Sequence, residues 1–174
     1  SSKVTALASN ELLEKYQTGQ QLYESEIIAF EKVIHRLDKM CAAASHGKVA
    51  LFIDAEETWI QDTIDELVKK MMEKFNRERA VVYHTYQMYR KDKLDDLVKD
   101  HLEAKAKGYI LGAKVVRGAY MEKERKRAEE KGYLSPIHDT KEDTDKDFNA
   151  AIKYCVDHYL EIASCNASHN LHSN

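Results

Sequence analysis

Two short segments of this 174-residue chain place charged side chains directly after runs of apolar residues. The first is Asp54-Ala55-Glu56-Glu57, in which three acids directly follow a buried run and form a candidate site. The second contains Lys114 and Arg117, and an unpaired cation in a buried run is costly unless it serves a ligand. Gly118 follows them and would let a ligand approach the backbone closely. The two cations of the second segment favour an anionic ligand.

The acidic segment also has a purely structural interpretation. Glu56, Glu57 and Thr58 stand where they could cap the next helix, because negative charge and side-chain oxygens stabilise a helix N-terminus. This interpretation is favoured for Glu57. It is weaker for Asp54, which lies against the apolar run itself. Asp54 is therefore kept as the candidate site residue of this segment.

A metal site is another interpretation of these polar segments. It would combine Asp54 and His84 with His169 and the nearby His172, because carboxylates and imidazoles are common metal ligands. A single histidine at a strand end is more often a hydrogen-bonded structural residue, and the two cations of the second segment favour an anion instead. The sequence therefore predicts no metal ligands.

Strands must deliver these side chains, and apolar β-rich runs alternate with helical patterns along the chain. Parallel strands are predicted near residues 3–7, 49–53, 80–86, 110–117 and 162–167. This alternation is typical of right-handed βαβ units, in which functional groups lie at the C-terminal ends of the strands. No glycine-rich phosphate-binding loop follows the first strand, which disfavours an open dinucleotide-binding sheet.

The expected fold class is α/β, a partial (βα)8 TIM-like barrel of about four and a half βα units with parallel strands. A complete barrel needs roughly 200 residues or more. We therefore predict a single domain, 1–174, that forms an incomplete barrel. Its bare strand edges would have to be covered by the rest of a larger protein or by a homo-oligomer.

The helical patterns also predict which faces are buried. In the first long helical stretch a stripe of apolar residues recurs at 3-4 spacing, and its members are Ile27, Ile34, Leu37, Cys41 and Ala44. The highly charged segment 121–131 is instead predicted to be a helix with a solvated face and i,i+4 ion pairs.

Composition narrows the classes of partner. One third of the residues are charged and the net charge is −3, which disfavours nucleic acid as the main partner. No apolar run approaches the ~18 residues of a membrane span, and the opening residues lack the apolar region of a signal peptide. Cys41, Cys155 and Cys165 have no metal-type spacing, which predicts reduced thiols in a reducing compartment.

Segments at the predicted strand ends resemble the proline dehydrogenase family. The matching segments occur in family order and at family-like spacing, and they are 3–7, 52–58, 85–89, 112–121, 124–125, 132–133, 135–137 and 168–170. The specific part is Val116-Arg117-Gly118-Ala119-Tyr120 followed by a charged helix. The acidic segment alone would be a weak signal.

The resemblance implies a flavoenzyme on a distorted (βα)8 barrel. Such an enzyme oxidises L-proline to Δ1-pyrroline-5-carboxylate by hydride transfer to FAD and passes electrons to a quinone or another acceptor at a membrane surface. The implied location is the mitochondrial inner membrane or matrix, or the bacterial cytoplasm with peripheral membrane association. Two alternatives stay open: a non-catalytic truncated barrel or half-barrel that binds flavin or a partner chain, and a flavin-free barrel enzyme for an anionic substrate.

The resemblance also implies roles for individual residues. Lys3 and Asp54 would be the catalytic residues, facing the proline and the flavin ring. The implied cofactor-binding residues are His84, Lys114, Val116, Arg117, Gly118, Tyr120, Thr144 and His169, of which the last two would reach the phosphates or ribose. Two positions depart from the family pattern: His84 stands in place of a glutamine or asparagine, and Lys114 in place of a frequent arginine.

In the family, a pair of arginines on the last barrel helix clamps the substrate carboxylate, a task suited to the bidentate guanidinium. No such pair is present in this sequence. We therefore expect the chain alone to be a poor catalyst. The sequence leaves open whether Leu171–Asn174 is a native tail.

Overall fold

The structure, a computed structural model, describes residues 1–168. Its helices are α1 Asn10–Gln17, α2 Glu24–His46, α3 Thr58–Phe75, α4 Lys93–Lys107, α5 Met121–Lys131 and α6 Lys141–Asp157. Its strands are β1 Leu51–Ile53, β2 Val82–Gln87, β3 Leu111–Val116 and β4 Ile162–Asn166. The chain splits into two compact units, Ser1–His84 and Thr85–Asn174, so the single domain inferred from the sequence stays a prediction.

In the first unit, β1 and the beginning of β2 pair in parallel, with Ile53 opposite His84. The intervening helix α3 is amphipathic, and its apolar residues recur every three or four positions. The buried ones are Ile60, Ile64, Leu67, Val68, Met71 and Met72. A parallel pair joined by a helix is the βαβ unit that the sequence predicts.

A buried amide closes the connection from α3 to β2. Asn76 directly follows α3 and is fully buried. Its Oδ1 accepts the backbone N–H groups of Val81 and Val82, both at 2.9 Å, and its Nδ2 donates to the carbonyl of Val82 at 2.8 Å. These bonds satisfy strand-end backbone groups that would otherwise be buried without partners.

The predicted first strand at residues 3–7 is wrong. Only Ser2 forms a parallel bridge, to Ile53, and Val4–Ala6 form a 3₁₀ helix. The physical reason is the carboxylate of Glu56, which accepts the Thr5 backbone N–H at 3.1 Å and the Thr5 hydroxyl at 2.5 Å. These bonds hold Thr5 in a turn and take its N–H out of any strand ladder.

Two further details of the first unit differ from the sequence-based expectation. The first long helical stretch is divided into α1 and α2, with Gly19 at φ +66° in the break. The buried stripe of α2 starts at Phe30, which stacks on Tyr16 of α1 at 4.2 Å, whereas Ile27 is 47% exposed. The strand predicted from residue 49 begins only at Leu51.

In the second unit, β3 and β4 pair in parallel from Leu111 opposite Ile162 onward. Past the end of β2, the backbone N–H groups of Met88 and Tyr89 donate to the carbonyls of Val116 and Arg117 at 2.9 and 2.7 Å. These bonds tie the segment after β2 to the end of β3. The parallel α/β fold inferred from the sequence is confirmed in both units.

Two helices of the second unit end at glycines in the left-handed conformation. Helix α4 ends at Gly108 in the left-handed conformation, and α5 ends the same way at Gly132. The charged helix α5 has the predicted bounds, but Glu124 within it is fully buried, so its face is not wholly solvated. Among residues 1–168, no helix combines the length and apolar character that crossing a membrane would need.

Candidate functional site

In the first unit, backbone hydrogen bonds bring the segments that contain the two predicted catalytic residues to the end of β1. The backbone N–H of Ser2 donates to the carbonyl of Phe52 at 2.8 Å, and the backbone N–H of Asp54 donates to the carbonyl of Ser2 at 2.9 Å. Lys3 follows Ser2 and is exposed. The backbone therefore brings Lys3 and Asp54 to the same strand end, although they are far apart in sequence.

The other acids of this segment serve the protein itself. Glu56 is 97% shielded from solvent and holds the 3₁₀ helix through Thr5, rather than capping α3. Glu57 is the residue before α3 and is buried, but its side chain forms no capping hydrogen bond. Glu57 therefore occupies the N-cap position expected of it but without a side-chain hydrogen bond, whereas the capping role expected of Glu56 is wrong, because its carboxylate binds Thr5 of the 3₁₀ helix.

His84 ends the paired part of β2 and contacts a carboxylate of α3. It is 1% exposed, and its Nε2 lies 3.0 Å from Oδ1 of Asp65. The same Asp65 oxygen accepts a hydrogen bond from Nε2 of Gln61 at 2.5 Å, and Gln61 Oε1 accepts the backbone N–H of Glu56 at 2.6 Å. This chain of contacts directs His84 toward α3. Its role at a cofactor stays a prediction.

In the second unit, the end of β3 presents the cations. Lys114 is half-buried and lies opposite Cys165 of β4 in the strand register. Arg117 directly follows the strand and is held on three sides. Its Nε donates to Oδ1 of Asp145 at 2.6 Å, its Nη1 donates to Oγ of Ser168 at 2.7 Å, and its guanidinium carbon lies 4.3 Å from the ring centre of Phe148.

The structure explains why residue 118 is a glycine. Its φ is +141°, and a Cβ added to it would lie 2.4 Å from two ring carbons of Tyr89. The Tyr89 ring, which is 3% exposed, therefore occupies the space beside this glycine. Burial, and then the negative charge of Glu124, raise the pKa of the Tyr89 phenol, so this group stays neutral.

The remaining predicted site residues lie on the neighbouring turns. Val116 is half-buried, and Tyr120 precedes α5, with Lys123 Nζ 5.8 Å from its ring centre. Thr144 is buried in the first turn of α6, where its hydroxyl donates to the carbonyl of Thr140 at 3.4 Å. His169 and the tail at 171–174 lie outside the described residues.

The sequence did not identify the groups that contact Arg117, namely Asp145, Phe148 and Ser168. Side-chain hydrogen bonds from Lys141 and Arg117 lower the pKa of the Asp145 carboxyl, so it is ionised at neutral pH. The spacing of apolar and acidic residues in α6 predicts a helix, but it does not reveal that Asp145 contacts Arg117 after β3. The gathering of the site groups of the two units at one place stays a prediction.

No group of His, Cys, Asp and Glu side chains within residues 1–168 is arranged to hold a metal ion. The thiols of Cys41 and Cys155 are free and buried, and that of Cys165 is free and half-buried. Burial raises the pKa of Cys41 to about 12 and that of Cys155 to about 11, so both stay protonated.

The family model and two curated relatives that match this chain belong to one family. A family model described as Proline dehydrogenase matches residues 2–174. The chain is 37% identical over 169 residues to Proline dehydrogenase 1, mitochondrial, of Homo sapiens, with 94% of this chain and 28% of the relative covered. It is 40% identical over 137 residues to Probable proline dehydrogenase, mitochondrial, of Schizosaccharomyces pombe, with 78% and 26% covered.

The fold has solved counterparts. The structure of proline utilization A from Bdellovibrio bacteriovorus, inactivated by N-propargylglycine, matches with a TM-score of 0.84 at 21% identity, over 99% of this chain and 17% of that chain. This likeness confirms the predicted fold class of a partial TIM-like barrel. The chain spans just over a quarter of the length of the two curated relatives described above.

Proposed function

Because this chain belongs to the proline dehydrogenase family, we propose that it forms the flavin-binding part of an enzyme that oxidises L-proline to Δ1-pyrroline-5-carboxylate. The observation that carries the proposal is the cationic end of β3, where Arg117 is fixed by Asp145 and Ser168. A cation held in a fixed position can stabilise an anionic group without reorienting. Arg117 is such a cation, and it lies in the segment that is specific to the family.

FAD is the proposed cofactor, and the donor set fits it. Arg117 and Lys141 share the single carboxylate of Asp145, so this trio carries a net positive charge. The diphosphate of FAD is anionic, and its ring system becomes more negative on reduction. When bound, FAD would accept the hydride and the proton that L-proline loses on conversion to Δ1-pyrroline-5-carboxylate.

The residues of β3 and α6 have proposed tasks toward the cofactor. Lys114 and Arg117 would stabilise negative charge that develops during the reaction, because a preorganised cation need not reorient at that moment. Val116, Gly118 and Tyr120 would line the flavin. Thr144 and His169 would reach its phosphates or ribose.

Lys3 and Asp54 have proposed tasks toward the substrate. The amine of L-proline must be neutral to release a hydride, so a carboxylate near it orients the amine rather than removing its proton. The backbone bonds between Ser2 and Asp54 support this assignment, since they hold Lys3 and Asp54 at one strand end. His84 is proposed as a flavin contact, and its Nε2 lies 3.0 Å from Oδ1 of Asp65.

The wider setting is proposed from the relatives. The human and fission-yeast relatives are named mitochondrial, which supports a mitochondrial rather than a bacterial cytoplasmic location for this protein. We propose a quinone at the membrane surface as the electron acceptor. We also propose that the protein forms a homo-oligomer that covers the strand edges.

The test is turnover of L-proline with FAD and a dye acceptor. The purified 174-residue chain is assayed beside a form extended through the end of the barrel, and D-proline serves as the matched control substrate. We expect the extended form to reduce the dye with L-proline only. We expect the 174-residue chain to show little turnover, because its sequence lacks the arginine pair that the family resemblance assigns to the substrate carboxylate. No turnover by the extended form would contradict the proposed function. Equal turnover by both would contradict the need for the clamp.

A further inference from the structure

We propose that Asp145 is a positioning residue that fixes the guanidinium of Arg117 for an anionic ligand, which the proposed function identifies as FAD. The proposal rests on that function for the identity of the ligand. It rests on the structure for the contacts. Asp145 lies 28 positions after Arg117, on the first turns of α6, and would touch neither substrate nor flavin in this role.

The geometry restricts the guanidinium in both position and rotation. Asp145 holds Nε at 2.6 Å and Ser168 holds Nη1 at 2.7 Å, so two different edges of the planar group are bound. The Phe148 ring covers one face at 4.3 Å and is itself fully buried. An arginine bound at two edges and one face loses most of its rotamer freedom before any ligand arrives.

The effect of removing Asp145 distinguishes a positioning role from an effect of net charge alone. Asp145 pairs with Arg117 and with Lys141, four positions earlier on α6, so the trio has one net positive charge. Removal of Asp145 would raise that charge by one. If charge alone mattered, an anion would then bind more tightly. If position matters more, the anion would bind more weakly despite the added charge.

Asp157 provides a matched control on the same helix. It pairs with Lys153 at 2.5 Å, also in i,i+4 spacing, and this pair is exposed. Asp157→Ala therefore removes the same charge and the same kind of helical pair, while Arg117 keeps its contacts. Asp145→Asn is the conservative variant, because its amide oxygen can still accept the Nε–H bond.

The first measurement needs no cofactor. The Nε–H signal of Arg117 is recorded by NMR in the ligand-free protein and assigned by its disappearance in Arg117→Lys. We expect a slowly exchanging signal in the unmodified protein and in Asp157→Ala, its loss in Asp145→Ala, and partial recovery in Asp145→Asn. An unchanged signal in Asp145→Ala, with the fold verified by circular dichroism, would overturn the positioning role.

The second measurement is titration of each variant with FAD, followed by visible absorption. We expect about tenfold weaker binding by Asp145→Ala and unchanged binding by Asp157→Ala. Tighter binding by Asp145→Ala would overturn the inference. If Asp145→Ala fails to fold, Ser168→Ala tests the same restraint through Nη1 and should also weaken binding. Failure of the unmodified protein to bind FAD would contradict the proposed function and the ligand assigned here, while the NMR result would still decide the positioning role.

Discussion

Substitution of Gly118 by alanine tests why the family-specific segment contains a glycine. Two effects oppose a side chain at this position. The φ of +141° is a conformation that L-residues rarely adopt and is expected to cost about 1–3 kcal/mol. The new Cβ would also lie 2.4 Å from the buried Tyr89 ring, and displacing a packed ring is expected to cost about 1–3 kcal/mol more.

Gly132→Ala is the matched control for this experiment. Its φ is +72°, but no atom lies within 4 Å of the added Cβ, so only backbone strain of about 1–2 kcal/mol is expected. Urea unfolding of both variants, with hydrogen exchange of the β3 amides, would report the stability of the second unit. We expect Gly118→Ala to be the more destabilising variant by about 2 kcal/mol or more, from the ring contact.

Equal destabilisation by the two alanines would refute the role of the Tyr89 contact. It would indicate that Gly118 is required for ligand approach alone, as the sequence by itself suggested. FAD titration of the two variants separates the effects further. If Gly118→Ala is stable but binds FAD more weakly, the glycine is required for the approach of the ligand. If Gly118→Ala is already less stable in the absence of FAD, the glycine is required by the contact with Tyr89.

Three further outcomes follow from the structure. Asn76→Ala should destabilise the first unit by about 3 kcal/mol in urea unfolding, because three backbone hydrogen bonds are lost, while the exposed Asn149→Ala should change little. The neighbouring lysine and arginine lower the folded-state pKa of Asp145, so its stabilisation is present above the unfolded pKa of about 4 and is lost as pH falls through the folded pKa. Unfolding midpoints measured against pH should therefore fall less steeply on the acid side in Asp145→Asn. Cys165 should react with a thiol reagent in the native protein, whereas Cys41 should react only after unfolding, because burial raises its pKa to about 12.

The sequence predicted those parts of the fold that local patterns determine. The runs that became β2, β3 and β4 are apolar and lie between helical patterns, and the charged segment became α5 with the predicted bounds. These signals are local because the alternation of strand and helix residues is set by which face each element buries.

The failures have tertiary causes. The segment 3–7 has the composition of a strand, but the distant Glu56 carboxylate takes the N–H and hydroxyl of Thr5 and holds a 3₁₀ turn. Likewise, no local pattern reveals that Asp145 binds Arg117. The residue types of the site could be named from the sequence, whereas their partners depend on which elements pack together.

The most direct test of the central claim is anaerobic reduction of bound flavin. The form of the protein extended through the end of the barrel is loaded with FAD and mixed with L-proline or D-proline, and the yellow absorption band of oxidised flavin is followed. We predict that L-proline bleaches the band, that D-proline does not, and that Arg117→Ala slows the bleaching. A protein that binds FAD but keeps its full absorption band with L-proline would contradict the claim that this chain belongs to a proline-oxidising site.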